Sequence, residues 1–113
     1  MEPPLRAEYH VDPSRDLNGV GLLYFAAYFS IVDWALLQLW RRLGRSDRSF
    51  LERVVLDQQL CYLGNADAGC TIAADVQRWR VDDGEVVDVV LRDRDEDRVI
   101  AVSTLHLVVE AGR

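Results

Sequence analysis

The sequence predicts an α+β domain in which one long central helix is wrapped by a curved antiparallel sheet of about five strands. From Leu22 to about Leu43 there is no glycine or proline, and apolar residues occupy nearly every helical face. Four later segments are rich in Val, Ile, Leu, Thr and aromatic residues, and short polar turns join them. A chain of 113 residues has the usual size of one domain, so residues 1–113 are predicted to form a single unit.

The first elements follow from local signals. Leu5 to Val11 alternates as a strand does, and Asp12-Pro13 ends it. In the loop that follows, Asn18-Gly19 tolerates positive φ, and Asn18 or Asp16 is a suitable cap for the helix.

The end of the helix and the link beyond it are also marked. Arg41 and Arg42 place positive charge near the carbonyl end, and Gly44 follows just after the last turn. Residues 45–53 are polar and predict a connection with a short helical turn.

The remaining strands and turns alternate to the end of the chain. Strands are predicted over Arg53–Leu63, Cys70–Val81, Glu85–Asp93 and Arg98–Val109, separated by Gly64–Gly69, Asp82–Gly84 and Arg94–Asp97. Strands joined by short turns are most simply antiparallel neighbours.

A long apolar helix is covered on most sides only if the sheet curves around it, which is the hotdog architecture. Such a sheet leaves an open edge, so a homodimer or higher hotdog oligomer is expected.

Composition excludes several partners. There are 19 acidic and 13 basic residues, and a net charge of −6 repels nucleic acid and anionic membrane surfaces. The apolar stretch from Val20 to Leu43 contains Asp33, Gln38 and two arginines, which indicates a core helix rather than a membrane span. No basic-then-apolar leader begins the sequence, and a cytoplasmic location is expected.

Cysteine and metal chemistry are not indicated by the sequence. Cys61 and Cys70 flank a predicted turn; two free, mostly buried thiols in a reducing cytoplasm are favoured over a disulfide across it. No residues have metal-ligand spacing, and no cofactor is predicted. His10 and His106 lie far apart in sequence, and no serine sits at a nucleophile elbow, so a Ser-His-Asp triad is not supported.

Two motifs carry a family resemblance. Asp16–Tyr28 (DLNGVGLLYFAAY) resembles the helix-start motif of LnmK-type proteins of polyketide biosynthesis, and Cys61–Gly69 (CYLGNADAG) is similar to a turn of the same family. That resemblance implies two hotdog halves in one chain, acyl transfer from coenzyme A to a carrier protein, and decarboxylation through an acylated tyrosine. This chain resembles only one half, the second, which leaves that tyrosine without an assigned counterpart.

A looser resemblance is to hotdog thioesterases, whose helix start often reads Asp-x-x-Gly followed by Tyr-Phe. Asp16 to Gly19 and Tyr24-Phe25 match this pattern, whereas its histidine and its spacing are absent. The resemblances together imply an enzyme acting on an acyl-CoA or acyl-carrier-protein thioester, with hydrolysis at a dimer interface as the first hypothesis. A dehydratase, an acyltransferase/decarboxylase, or a non-catalytic subunit that completes a heteromeric partner are the alternatives.

Thioester hydrolysis needs a donor for the developing oxyanion and a base for water. Backbone N–H groups at Gly19, Gly21 and Leu22 are candidates for the donors, although the glycines are equally explained by the shape of the turn. Asp33 is a carboxylate on an apolar helix, either a base or a buried structural group. Asp16 is a second candidate base, with helix capping as its simpler role.

Further side chains complete the candidate site. The amide of Asn18 is a candidate donor to the thioester carbonyl, or simply forms a left-handed turn. Tyr24 and Tyr28 share one helical face, where either hydroxyl would orient substrate or accept an acyl group; packing is the default interpretation for both. Asn65 and Asp67 in the glycine-bounded turn would lie beside a partner's pocket, or act only as turn formers.

Overall fold

The computed structural model describes residues 4–17, 25–66 and 70–108. In chain order the elements are β1 (Leu5–His10), α1 (Phe25–Arg42), α2 (Asp47–Leu51), β2 (Val54–Tyr62), β3 (Thr71–Val81), β4 (Gly84–Asp93) and β5 (Arg98–Val108). Each predicted strand is present, with ends that agree to within one residue, and the short helical turn is α2. The α+β class and the antiparallel five-stranded sheet are confirmed.

The order of strands in the sheet is β1-β3-β4-β5-β2, and every pairing is antiparallel. The prediction that consecutive strands are neighbours holds for β3, β4 and β5 but is wrong for β2 and β3. Strand β2 pairs with β5, from Val54 opposite Val108 to Tyr62 opposite Ala101. The link from Leu63 to Cys70 is longer than a two-residue hairpin turn, so its glycines fit a crossing to the other side of the sheet as well as a hairpin.

The core lies between α1 and the concave face of the sheet. One face of the helix is fully buried, and β4 and β5 alternate between buried and partly exposed residues, as strands with one covered face do. The buried helix residues are Tyr28, Ile31, Val32, Ala35, Leu36 and Leu39, and they pack with Ile72, Val76, Val87, Val89, Leu91, Ile100, Leu105 and Leu107 from the strands.

The carboxyl end of α1 confirms the predicted stop signal. Gly44 has a φ of 76°, its N–H donates to the carbonyl of Arg41 at 3.0 Å, and the N–H of Arg45 donates to the carbonyl of Trp40 at 3.1 Å. This pair of bonds is the Schellman arrangement, which satisfies carbonyls at a helix end. The chain then turns into α2, capped by Ser46, whose hydroxyl accepts the N–H of Ser49 at 3.1 Å.

The helix is less enclosed than its composition suggested. Ala26, Phe29 and Ser30 are exposed and Asp33 is partly so, because the sheet covers one face and neither α2 nor β1 reaches far enough to cover the other. Within the described residues no helix is long and apolar enough to cross a membrane.

Both cysteines are free, and Cys61 is exposed on β2 rather than buried, since an edge strand has no neighbour on that side.

Candidate active site

An open groove of about 810 Å³ runs along the uncovered face of α1. The end of β1 and the loop after it form one border, and α2 closes the far end. The walls of the groove are mostly apolar and include three charged side chains. The lining residues are Tyr9, Arg15, Asp16, Ala26, Ala27, Ser30, Asp33, Trp34, Leu37 and Phe50. The groove therefore brings together both aspartates that the sequence marked as candidate bases.

Asp16 is almost completely buried, at 2% exposure, and both oxygens of its carboxylate have polar partners. Oδ2 accepts the hydroxyl of Tyr9 at 2.7 Å and the backbone N–H of Asp12 at 2.8 Å, while Arg15 lies 3.4 Å from Oδ1. Burial, followed by the bond to Asp16, raises the pKa of Tyr9. The Tyr9 hydroxyl stays protonated and donates to the Asp16 carboxylate. These contacts connect β1 to the loop that precedes α1.

Asp33 lies on the open face of α1, and its side chain is 47% exposed. The guanidinium of Arg53 stands 3.5 Å from its Oδ1 and is itself positioned by a bond to the carbonyl of Phe50 at 2.9 Å and by stacking on the Phe50 ring. An ionised carboxylate on an apolar helix is costly to bury. In the structure this desolvation cost is small, because Asp33 is half in solvent and pairs with Arg53. Asp33 thus has an oxygen available to the groove.

Tyr28 is directed away from the groove. Its hydroxyl donates to the carbonyl of Gly64 at 3.1 Å, its ring packs edge-on against Tyr62, and it is 1% exposed. Burial, with Tyr62 as a further cause, raises the pKa of Tyr28 to about 12, so its hydroxyl stays protonated. Asn65 is exposed near the same point, where its side-chain oxygen accepts the Tyr62 hydroxyl. Neither residue lines the groove.

Several residues proposed from the sequence lie outside the described part of the chain. They are Asn18, Gly19, Gly21, Leu22, Tyr24 and Asp67. Among the described residues, no group of three or more His, Cys, Asp and Glu side chains is arranged to hold a metal ion.

Sequence reasoning missed four participants in this region. Tyr9, Arg15 and Trp34 shape the groove, and Arg53 pairs with Asp33. The ring of Trp34 packs edge-on against Tyr9, with centroids 5.4 Å apart. Tyr9 is the buried residue of β1, and the alternation of that strand is the signal that could have identified it. No signal linked Arg53 to a carboxylate 20 positions earlier, because that contact depends on how α2 folds back along α1.

Comparison with known proteins bears on the fold. No protein-family model matches the sequence, and a search of curated proteins gives no match. A 1,4-dihydroxy-2-naphthoyl-CoA thioesterase from Synechocystis superposes with a TM-score of 0.84 at 13% identity, over 94% of this chain and 81% of that one. The chain has the hotdog fold.

Other hotdog structures are similar over comparable lengths. A thioesterase from Thermus thermophilus, complexed with coenzyme A and zinc, has a TM-score of 0.76 at 22% identity and covers 96% of this chain and 81% of its own. The dynemicin thioesterase, solved in a study of polyene binding, has a TM-score of 0.78 at 14% identity and covers 97% and 84%. At identities this low, the TM-scores show a shared fold and do not show a shared activity.

Proposed function

We propose that this hotdog protein hydrolyses an acyl thioester in the groove along α1. The observation that carries the proposal is an apolar channel with a half-exposed carboxylate, Asp33, on its floor. Apolar walls suit an acyl chain, and a carboxylate with a solvent-facing oxygen suits the activation of water. Structures of similar fold that are named thioesterases support the same substrate class.

In the proposed reaction Asp33 accepts a proton from water as the water oxygen attacks the thioester carbonyl carbon. A C–O bond forms and the carbonyl oxygen gains negative charge. When the tetrahedral intermediate collapses, the C–S bond breaks and the thiolate leaves with the proton that Asp33 holds. Arg53 lies 3.5 Å from an Asp33 oxygen, and this ion pair helps to hold the proposed base in place.

The oxyanion donors are proposed to come from the loop before α1. The side-chain amide of Asn18 and the backbone N–H groups of Gly19, Gly21 and Leu22 have the required chemistry at the amino end of the helix. Tyr24 is proposed to orient the substrate. Asp16 is proposed to act through this loop, as a positioning residue, because its oxygens already accept hydrogen bonds.

We propose that two copies of the chain pair through their sheets. Strand β2 is an open edge, and Val54, Val55, Leu56 and Tyr62 on it are exposed. Exposed apolar edge strands favour pairing, and a second copy would cover them without a new partner. In such a dimer Asn65 and Asp67 are proposed to border the partner's groove, whereas Tyr28 is buried in its own subunit.

Coenzyme A or a carrier protein is the proposed carrier of the acyl group. Solved hotdog structures with acetyl-CoA or coenzyme A bound favour the former. A polyketide-type acyl chain is proposed because the groove is large and mostly apolar and because the dynemicin thioesterase, studied with a polyene, has a similar structure.

The test is substitution of Asp33. We expect Asp33→Asn to lower kcat by about 100-fold or more on acyl-CoA or acyl-carrier substrates, the usual contribution of a general base. Asp82→Asn, at an exposed acid on the turn after β3, is the matched control and should retain full activity. Intact mass of the products separates hydrolysis from acyl transfer, decarboxylation and dehydration. Full activity of Asp33→Asn would remove the proposed base.

A further inference from the structure

A second cavity, of about 480 Å³, lies beyond the carboxyl end of α1. Four arginines line it, from the α1–α2 link, from α2 and from β3: Arg45, Arg48, Arg78 and Arg80. We call this cavity the arginine pocket. Glu52 and Glu85 are the acids in or beside its wall, so the local charge is positive by two units on a chain whose net charge is −6.

The base of the arginine pocket is a buried charged network. Glu85 is 1% exposed; its two oxygens accept bonds from Arg45 at 2.5 and 3.0 Å, and from Arg78 at 2.6 Å. Arg78 has a side chain 5% exposed, and Arg45 stacks on the Trp40 ring at 4.5 Å. Glu85 therefore holds two guanidinium groups in a fixed geometry at the base of the arginine pocket.

The mouth of the arginine pocket holds two arginines in solvent. Arg80 is exposed and has no ion pair among the described residues. Arg48 is exposed as well, and its contact with Glu52 is a surface pair at 3.4 Å, which contributes little. These two guanidinium groups are free to turn toward a ligand above the fixed pair.

We propose that the arginine pocket binds a phosphate group. Guanidinium groups donate paired N–H bonds in the geometry that phosphate oxygens accept, and a net local charge of plus two matches a phosphate dianion. Helix α2 borders both cavities, with Phe50 in the groove and Ser49 in the arginine pocket. The phosphate is supplied either by the carrier of the thioester, a source that rests on the proposed function, or by free phosphate.

The binding test uses inorganic phosphate and the full chain. We expect saturable binding in calorimetry, weakened about tenfold by Arg80→Gln and further by Arg48→Gln with Arg80→Gln, since each change removes a charge-assisted contact. Both positions are exposed, so the variants should fold. Arg94→Gln, at an exposed arginine on the β4–β5 turn, is the matched control and should bind as the wild type does. Absent binding, or equal affinity in all variants, would overturn the proposal.

The source of the phosphate is resolved with two further probes. If the carrier supplies it, Arg80→Gln weakens binding of coenzyme A but not of pantetheine, which lacks phosphate. If free phosphate is the ligand, coenzyme A binds both proteins equally while inorganic phosphate distinguishes them. Hydrolysis of an acyl-pantetheine thioester should be unchanged in Arg80→Gln, so loss of the phosphate site is separable from failure of the proposed hydrolysis.

Discussion

Glu85 shows how one buried side chain holds separate elements together. It lies on β4, and its partners Arg45 and Arg78 lie on the α1–α2 link and on β3. Burial raises the pKa of Glu85, but the hydrogen bonds and charges of the two arginines outweigh it, and the pKa lies below its usual value of 4.5. The ionised form is therefore favoured more in the folded chain than in the unfolded one.

We expect Glu85→Gln to lower the free energy of unfolding by about 3–5 kcal/mol at pH 7, because two buried guanidinium groups lose their counter-charge. A depressed pKa gives stability that is present above pH 4.5 and is lost as the pH falls through the lower folded value. Urea unfolding at several pH values should thus show a wild-type advantage over Glu85→Gln that shrinks below about pH 4.5. A constant difference down to pH 2 would contradict this account.

Two glycines at the ends of secondary-structure elements serve different purposes. Gly84 begins β4, where a Cβ would stand 1.9 Å from the backbone oxygen of Leu107 on β5. Gly44 ends α1 with a φ of 76°, and nothing lies within 4 Å of its Cβ position. The first glycine allows two strands to approach, whereas the second allows a left-handed backbone conformation.

We expect Gly84→Ala to cost about 3 kcal/mol, because backbone cannot yield as a side chain can and the β4–β5 pairing must open at that end. Gly44→Ala should cost only about 1 kcal/mol, the usual penalty of a left-handed conformation for a residue with a Cβ. Urea unfolding of both variants measures the two values. Equal losses, or a larger loss at Gly44, would contradict the assignment of the close contact.

The molecule as a unit presents one strand edge that carries exposed apolar residues. Strand β2 ends the sheet beside β5, and Leu56 on it is 54% exposed at a point where the register shifts between Val55 and Asp57. The other edge, β1, is short at six residues and has charged Arg6 and Glu8 on it. Short charged edges resist pairing, so β2 is the edge expected to meet a second copy.

We expect Leu56→Asp to raise the dimer dissociation constant by at least about tenfold, because it places charge in an apolar contact between two β2 strands. Val81→Asp, at an exposed apolar residue of β3 away from that edge, is the matched control. Sedimentation equilibrium measures the constant, and circular dichroism checks that both variants fold. A monomeric wild type, or an equal effect of both changes, would contradict the proposed dimer.

The class of the fold was readable from local patterns. The composition and turn signals of the chain predicted β4 and β5, and Arg41, Arg42 and Gly44 predicted the end of α1. Each of these signals acts within a few residues of the chain. The partner of β2 was not readable in this way. A link bounded by glycines permits a hairpin or a crossing, and the choice depends on β5 having a free edge to offer.

Propensity, capping and the cost of a charge on an apolar helix are local properties, so they were enough to assign the type and order of the elements and to single out Asp16 and Asp33. The folded chain was needed to show that these aspartates line one groove, that Tyr28 is directed away from it, and that four arginines converge beyond α1. Those facts depend on contacts between residues far apart in the chain, which form when the sheet curves and α2 folds back.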